Sequence, residues 1–501
     1  MNNLSYELVE SYKKEPDKIV IIDKSEQMTY EKLYKKVASF KEYLLKKRIK
    51  KGQKVLILVQ MSKELYIVLL SLWSIGAIPC FMDTGFIKSG MKNNEYDNIQ
   101  AIIGTKKYIL YSKINNNLKK LKTKIDVSII NKLEIKDTLE IQEVEKHFPA
   151  ILTYTSGTTG TPKIASRSHT FLKCQEKILI NTLNYEEEDI EISSIPIFTL
   201  SNISAGIATL IAEANFSNLG KTKPRKIINQ IIKYKVNRIM AAPGLLQNIV
   251  NYGLKNNIQL EDVKKIFTGG GAVFVDLINN IKKVFPKAKI VTLYGSTEAE
   301  PISECDVTNI SKSDLDKIMN GYGILAGNIV GVKSCKLIKN DKKEIGRITK
   351  EEFEKMQVQN NGEIVVTGEN VLKGYVDGIG DKENKFYVET ETFHRTGDLG
   401  NIDEKGRLWL KGRIKEPYFN IEATLHAKFQ NIGKTAVLKN NNKITIILEK
   451  SCKIPEEKIK KEIDFEKIED IRYVKKIPVD KRHNTKVDYN ELRKVLKIWT
   501  L

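Results

Sequence analysis

Cysteine is scarce in this chain of 501 residues. There are five, Cys80, Cys174, Cys305, Cys335 and Cys452, all far apart, with no C-x-x-C pair and no histidine nearby at metal-ligand spacing. That suits free thiols in a reducing cytosol, so a cytoplasmic protein is expected. The five histidines (His147, His169, His394, His426 and His483) also lack metal spacing, and no Ser/His/Asp set is evident. Long apolar runs are missing as well. The one uncharged stretch approaching spanning length, Tyr66 to Met82, contains Ser71, Ser74, Gly76 and Pro79. It divides into a helix, a glycine stop and a short buried strand, so no transmembrane segment is expected. The first residues, Met1 to Glu7, have no basic stretch followed by an apolar core, and no secretory signal is expected.

Acidic residues are outnumbered, 62 against 83 basic ones, giving a net charge of +21. A phosphate-rich partner such as nucleic acid, an anionic membrane or a nucleotide would fit that sign. Yet lysines are scattered along the chain and interleaved with acids, as in Lys461 to Lys467, which reads as a solvated helix face and a compositional bias. With 41% hydrophobic and 8% aromatic residues the chain is globular, and its length exceeds what one core usually supports.

Short apolar runs alternate with amphipathic stretches. Val55 to Val59, Ala77 to Met82, Ala101 to Ile103, Arg238 to Ala242, Lys265 to Thr268 and Ile290 to Leu293 read as buried strands. Tyr30 to Lys47, Lys63 to Ile75, Pro224 to Tyr234, Leu245 to Leu254 and Val275 to Phe285 carry helical spacing, with Pro224 in a first turn and Pro286 as a stop. This alternation predicts an α/β fold of parallel sheets covered by helices. From about Gly362 the character changes. Glu363 to Gly368 and Arg407 to Gly412 read as hairpin strands, with Asp403 to Gly406 as a turn, and a Lys-rich α+β segment follows Arg413.

The sharpest local signal is Thr155-Ser156-Gly157-Thr158-Thr159-Gly160-Thr161-Pro162-Lys163, directly after a strand-like run. Its glycines allow a tight turn that brings backbone N–H groups to an anion, hydroxyls add donors without bulk, and Lys163 adds a cation. The G-x-x-x-x-G-K-[ST] order of a Walker A loop is absent. A flexible polar surface loop is the bland alternative.

These nine residues resemble the phosphate loop of the adenylate-forming superfamily of acyl-CoA synthetases, peptide-synthetase adenylation domains and luciferases, and further matches follow in that superfamily's order from about Met28 to Asp488. Tyr294-Gly295-Ser296-Thr297-Glu298 resembles the motif whose aromatic stacks on adenine, whose threonine contacts the α-phosphate and whose glutamate holds Mg²⁺. Gly270, Gly271 and Ala272 resemble the segment on the other adenine face. Asp398, in Arg395-Thr396-Gly397-Asp398, matches the aspartate that accepts both ribose hydroxyls, and Arg413 the arginine near the ribose. Lys486, after Ile477-Pro478-Val479-Asp480, falls where the superfamily keeps the lysine bridging carboxylate and α-phosphate. Phe198, Ser201, Asn202 and Gly206 fall where the acid pocket is lined.

The resemblance implies a large adenylation domain over residues 1–414, of stacked βαβ sheets with a small β-barrel-like part, and a mobile α+β lid over 415–501 hinged near Lys415. It implies ATP and Mg²⁺ as cofactors, a small-molecule carboxylic acid as substrate, and an acyl-adenylate as intermediate. His394 to Gly400, Gly412-Arg413 and Pro478 to Lys486 look most like the β-lactone synthetases of bacterial olefin biosynthesis, in which a 3-hydroxy acid cyclises with loss of AMP. The stretch Ile414 to Asn420 lacks the glycine of the superfamily's thioester-forming loop, which leaves coenzyme A uncertain. An acyl-CoA ligase and an amide-forming ligase are the rival enzymes, an inactive ATP-binding scaffold a weaker one, and a basic nucleic-acid or membrane-surface binder the rival from another class.

Overall fold

A computed structural model describes residues 2–24, 26–82, 99–155, 163–341, 344–416, 418–430, 432–440, 443–480 and 486–497, the side chains of Thr155 and Asn440 excepted. The backbone gathers into two compact units, Met1–Ala212 with Glu369–Lys382, and Glu213–Gly368 with Glu383–Leu501.

The first unit is α/β. Its six-stranded sheet runs in the order Thr123–Asp126, Ile99–Gly104, Lys54–Leu58, Ile78–Phe81, Pro149–Thr155, Lys163–Ser168, parallel except for the last pair. A second set pairs Ile190–Ser193, Ala208–Ile211 and Ile19–Asp23 in parallel and adds Glu26–Thr29 antiparallel. The uncharged stretch supplies most of the helix Lys63–Ile75 and the strand Ile78–Phe81 that follows, as its sequence predicts. Gly76 stops the helix in the left-handed region at φ +75°, which a side chain would strain. Trp73 on this helix is 1% exposed and donates its indole N–H to Ala150 O at 2.8 Å, tying helix to sheet. Each fully buried aliphatic or aromatic chain of this kind contributes about 1.5–3 kcal/mol.

In the second unit the strands run in the order Arg238–Ala241, Lys265–Gly269, Lys289–Ser296, Ala299–Asp306, Ile324–Ile329, Leu408–Arg413, Glu391–Ile402, Gly362–Thr367, Ser334–Ile338. The first three are parallel and the rest antiparallel. The expected barrel-like part is thus an open antiparallel array. The two-residue turn Thr297–Glu298 reverses the chain beside its own strand, so the parallel sheet runs on into the antiparallel one instead of closing on itself. The C-terminal residues add a three-stranded sheet, Thr435–Asn440, Lys443–Glu449 and Ile468–Val474, under the helix Phe419–Lys428. Their apolar faces form a core of their own around Ile421, Leu425, Ile446 and Ile471.

The turn Asp403 to Gly406 forms as predicted. Asp403 Oδ1 accepts from the N–H groups of Lys405 and Arg407 at 3.0 and 2.9 Å, and Gly406 takes φ +74°. Asp403 also accepts from Trp409 Nε1 at 2.9 Å. Burial opposes its ionisation, but the Trp409 and Arg407 donors hold its carboxyl down at about 2.

No helix among the described residues is long and apolar enough to cross a membrane.

Candidate functional site

The second unit holds a cavity of about 610 Å³. It gathers residues far apart in sequence: Gly270, Gly271 and Ala272 after one strand, Tyr294 and Gly295 at the end of the next, Asp398 and Arg413 on the hairpin, and Lys486 near the C-terminus. Parallel strands Lys265–Gly269 and Lys289–Ser296 run side by side, with Gly269 registered on Leu293, so both glycine-bearing ends open on the same edge. Gly269 is required there, since a Cβ would stand 2.4 Å from Leu293 O. Gly270 sits at φ +78°, and a Cβ on Gly295 would stand 2.8 Å from Ala299 O.

Asp398 is the hub. Tyr294 donates its hydroxyl to Asp398 Oδ2 at 2.8 Å, and Arg413 Nε lies 3.0 Å from Oδ1. The pairing is built by the hairpin, where Asp398 is registered opposite Arg413. Asp398 N–H donates to Thr396 Oγ1 at 3.1 Å, while Thr396 donates its hydroxyl to Ile364 O at 2.9 Å. Burial pushes the Asp398 carboxyl up; Arg413, Tyr294 and the Lys486 charge pull it back, and Glu298 adds to the rise. Burial, with the neighbouring Asp398 charge, also raises the Tyr294 phenol, which stays a donor. Each Asp398 oxygen keeps a second lone pair, so the carboxylate can still accept from a diol.

Thr297 and Glu298 form the turn between Lys289–Ser296 and Ala299–Asp306, and Glu298 N–H donates to Ser296 Oγ at 3.2 Å. A single carboxylate at this turn fits Mg²⁺, which takes one or two protein carboxylates and completes its shell with water and phosphate. No cluster of three or more His, Cys, Asp or Glu suited to a metal occurs among the described residues. Lys486 belongs to a bridge in which its N–H donates to Asp480 Oδ1 at 2.9 Å and its carbonyl accepts from Asp480 N–H at 2.8 Å.

Arg395 serves a structural purpose. Its guanidinium donates to buried Glu363 Oε2 through Nε at 2.9 Å and Nη2 at 2.5 Å, anchoring the strand that carries Asp398. Burial raises the Glu363 carboxyl, and Arg395 counters the rise.

In the first unit, Thr155 and Lys163 are registered partners at the ends of two antiparallel strands, so the Gly/Thr segment leaves and returns at one point. Ser156, Gly157, Thr158, Thr159, Gly160, Thr161 and Pro162 lie outside the described residues. The Lys163 ammonium lies 5.4 Å from the Tyr375 ring centroid. Phe198, Ser201 and Asn202 are buried on the helix Pro196–Ala205, which Gly206 caps at φ +75°. The Asn202 amide is fully engaged inside the unit, donating to Glu191 and Thr209 at 2.9 Å each and accepting from Tyr185 at 2.5 Å. His169 is buried against Trp73, its Nδ1 accepting from Leu4 N–H at 3.2 Å, and burial lowers it to about 4.

One part of the cavity wall carried no sequence signal. His426 Nδ1 lies 2.8 Å from Asp276 Oδ2, its Nε2 lies 3.2 Å from Thr435 Oγ1, and Thr435 in turn lies 3.4 Å from Glu422 Oε2. The imidazole stacks on Phe274 at 4.3 Å and 5°. Burial pushes Glu422 up to about 8. Glu422 and His426 stand four apart on one helix, a spacing too common to single out.

The chain belongs to the AMP-binding enzymes, whose family model matches residues 8–376. This is the adenylate-forming class of ligases that the motifs resemble. Among curated relatives, it is 22% identical to an olefin beta-lactone synthetase of Xanthomonas campestris pv. campestris over 387 residues, 73% of this chain and 68% of that protein. Among solved structures, ATP-bound MatB from Rhodopseudomonas palustris superposes with TM-score 0.80 at 18% identity, over 99% of each chain. O-succinylbenzoate coenzyme A synthetase (MenE) from Bacillus subtilis, in complex with ATP and magnesium ion, gives 0.74 at 18% identity, over 97% of this chain and 99% of that one.

Proposed function

We propose that this enzyme activates a carboxylic acid with ATP and releases pyrophosphate, the nucleoside monophosphate half being held by Asp398, Tyr294 and Arg413. The observation that carries the reading is the doubly held Asp398 carboxylate, facing the same cavity as the paired glycine strand ends and Lys486. Asp398 accepts the two ribose hydroxyls, the Tyr294 ring and the Gly270-Gly271-Ala272 backbone flank the adenine, and Arg413 sits by the ribose. Thr155 to Lys163 cradle the β- and γ-phosphates, a role that rests on the motif. Glu298 would hold Mg²⁺, which supplies charge neutralisation to the phosphates when bound, and Thr297 contacts the α-phosphate.

A substrate carboxylate oxygen attacks the α-phosphorus, the bond to the β-phosphate oxygen breaks, and pyrophosphate leaves. Two anions must meet in that step, so the Lys486 ammonium between them lowers the barrier electrostatically. Phe198, Ser201 and Gly206 line the acid pocket in this proposal, with the Asn202 amide holding the helix from within. The segment 415–501 acts as a lid turning near Lys415, withdrawing Lys486 before the second half-reaction. A cytoplasmic location agrees with the five free thiols.

For the second half-reaction we favour intramolecular cyclisation of a 3-hydroxy acid over thioester formation. The relative from Xanthomonas supports it, as does the shape of the backbone after Arg413. Arg413 and Glu416 exchange both backbone hydrogen bonds, at 3.0 and 2.8 Å, so Ile414 and Lys415 make a tight turn. The acyl-CoA ligase reading stays as the alternative, supported by the coenzyme A synthetase among the structural neighbours.

The test is a panel of carboxylates scored by pyrophosphate exchange, followed by mass spectrometry of products with and without coenzyme A. Lys486→Ala should lower exchange by about 10²–10³, the scale of one lost electrostatic contact in the transition state. Turnover of a supplied acyl-adenylate should survive. Equal loss of both half-reactions rejects the role given to Lys486.

A further inference from the structure

The helix Lys106–Ile114 has two apolar faces where a surface helix needs one. Tyr108, Ile109 and Tyr111 pack inward against the core that includes Ile102, Leu118 and Leu121. On the opposite side Leu110 is 54% exposed and Ile114 77%, one turn apart on a single stripe with Lys106 and Lys113. Other exposed large hydrophobics, such as Leu45, Ile232 and Val495, stand singly on their elements; Leu110 and Ile114 form the only such pair on one helix among the described residues.

Along the sequence, the charge on and beside this helix has one sign. From Ile99 to Ile125 the chain has seven lysines and no Asp or Glu. Lys106, Lys107, Lys113, Lys119, Lys120 and Lys122 are exposed, and no carboxylate among the described residues pairs with any of them. Lysines elsewhere commonly do pair, as Lys35 with Glu31 and Lys226 with Glu213. The scatter of lysines along the sequence therefore hides one patch where basic charge is unbalanced and borders exposed aliphatic side chains.

We propose that this face docks on an anionic lipid bilayer. Long lysine stems reach phosphate headgroups while Leu110 and Ile114 enter the headgroup–acyl boundary, which is how interfacial helices divide the work between charge and apolar burial. Nucleic acid shares the charge complementarity but offers no apolar layer for two aliphatic side chains, and the stripe presents no aromatic ring for stacking a base. Binding should depend on both parts, the lysines attracting and the aliphatic pair inserting.

The experiment is flotation of the full chain with vesicles of phosphatidylcholine alone or mixed with phosphatidylglycerol, at low and high salt. The expected result is partition onto the mixed vesicles that weakens as salt rises. Leu110→Gln with Ile114→Gln should lower it about tenfold. Both side chains point outward, so the double variant should keep its thermal midpoint and its pyrophosphate exchange. Equal partition onto uncharged vesicles, an unaffected double variant, or single-stranded RNA that binds this face and displaces the vesicles would each overturn the proposal.

Discussion

Replacing Tyr294 by Phe removes one hydroxyl and leaves the ring on the cavity wall. The hydroxyl donates to Asp398 Oδ2 at 2.8 Å, a hydrogen bond to a charged acceptor. Such bonds contribute about 1.5–3 kcal/mol. Asp398 keeps its contact with Arg413 at 3.0 Å, so roughly the lower end of that range should be lost. If Asp398 grips the ribose equally in the ground and transition states, the loss is uniform binding: KM for ATP rises about tenfold and kcat hardly moves. There is also a pH signature. Burial already raises the Asp398 carboxyl and Tyr294 pulls it down, so losing the hydroxyl raises it further. If the Asp398 carboxylate accepts the diol as proposed, affinity in the variant should fail at a higher pH on the acid side. Pyrophosphate exchange measured against ATP and 2′-deoxy-ATP across pH reads both effects. An unchanged KM with an unmoved acid limb would refute the idea that Tyr294 positions Asp398. So would a loss confined to kcat.

The remaining expectations concern stability. Glu422 is held neutral, its carboxyl raised by burial from 4.5 to about 8. The folded state therefore binds a proton that the unfolded chain releases, and this contribution is full below 4.5 and disappears as pH climbs through about 8. Glu422→Gln should flatten that fall, about 1.4 kcal/mol per pH unit at its steepest, in denaturant midpoints taken along the interval; parallel curves for both proteins would contradict it. Glu363→Ala strands the buried Arg395 guanidinium and should cost about 3–5 kcal/mol in chemical denaturation, whereas a loss within error would mean that the pair does not anchor the strand.

The parts of the fold that were legible in the sequence were those set by local periodicity. The helix Lys63–Ile75 has the predicted bounds because Gly76 supplies a stop that no neighbour need enforce. Tyr294, Asp398, Arg413 and Lys486 were legible by motif, and they do line one cavity. What could not be read is pairing between distant segments. Nothing near Asp276 announces that His426, 150 residues later, will reach its carboxylate. Arg395 resembled part of a nucleotide motif, yet its partner Glu363 lies across a strand pair and turns it into an anchor. The barrel-like expectation failed for the same reason: sequence marks hairpins, while the open path depends on which hairpin neighbours which.

The row Glu422, Thr435, His426, Asp276 has a consequence that follows from counting hydrogens. A hydroxyl owns one, so Thr435 can give to Glu422 or to the imidazole, never to both at once. When Thr435 gives to Nε2, the hydrogen of a neutral imidazole sits on Nδ1 and turns towards Asp276. When Thr435 gives to Glu422 instead, Nε2 loses that donor unless it carries a hydrogen itself. The helix Phe419–Lys428 and the segment around Phe274 are thus joined through one hydroxyl hydrogen, which can serve only one side at a time.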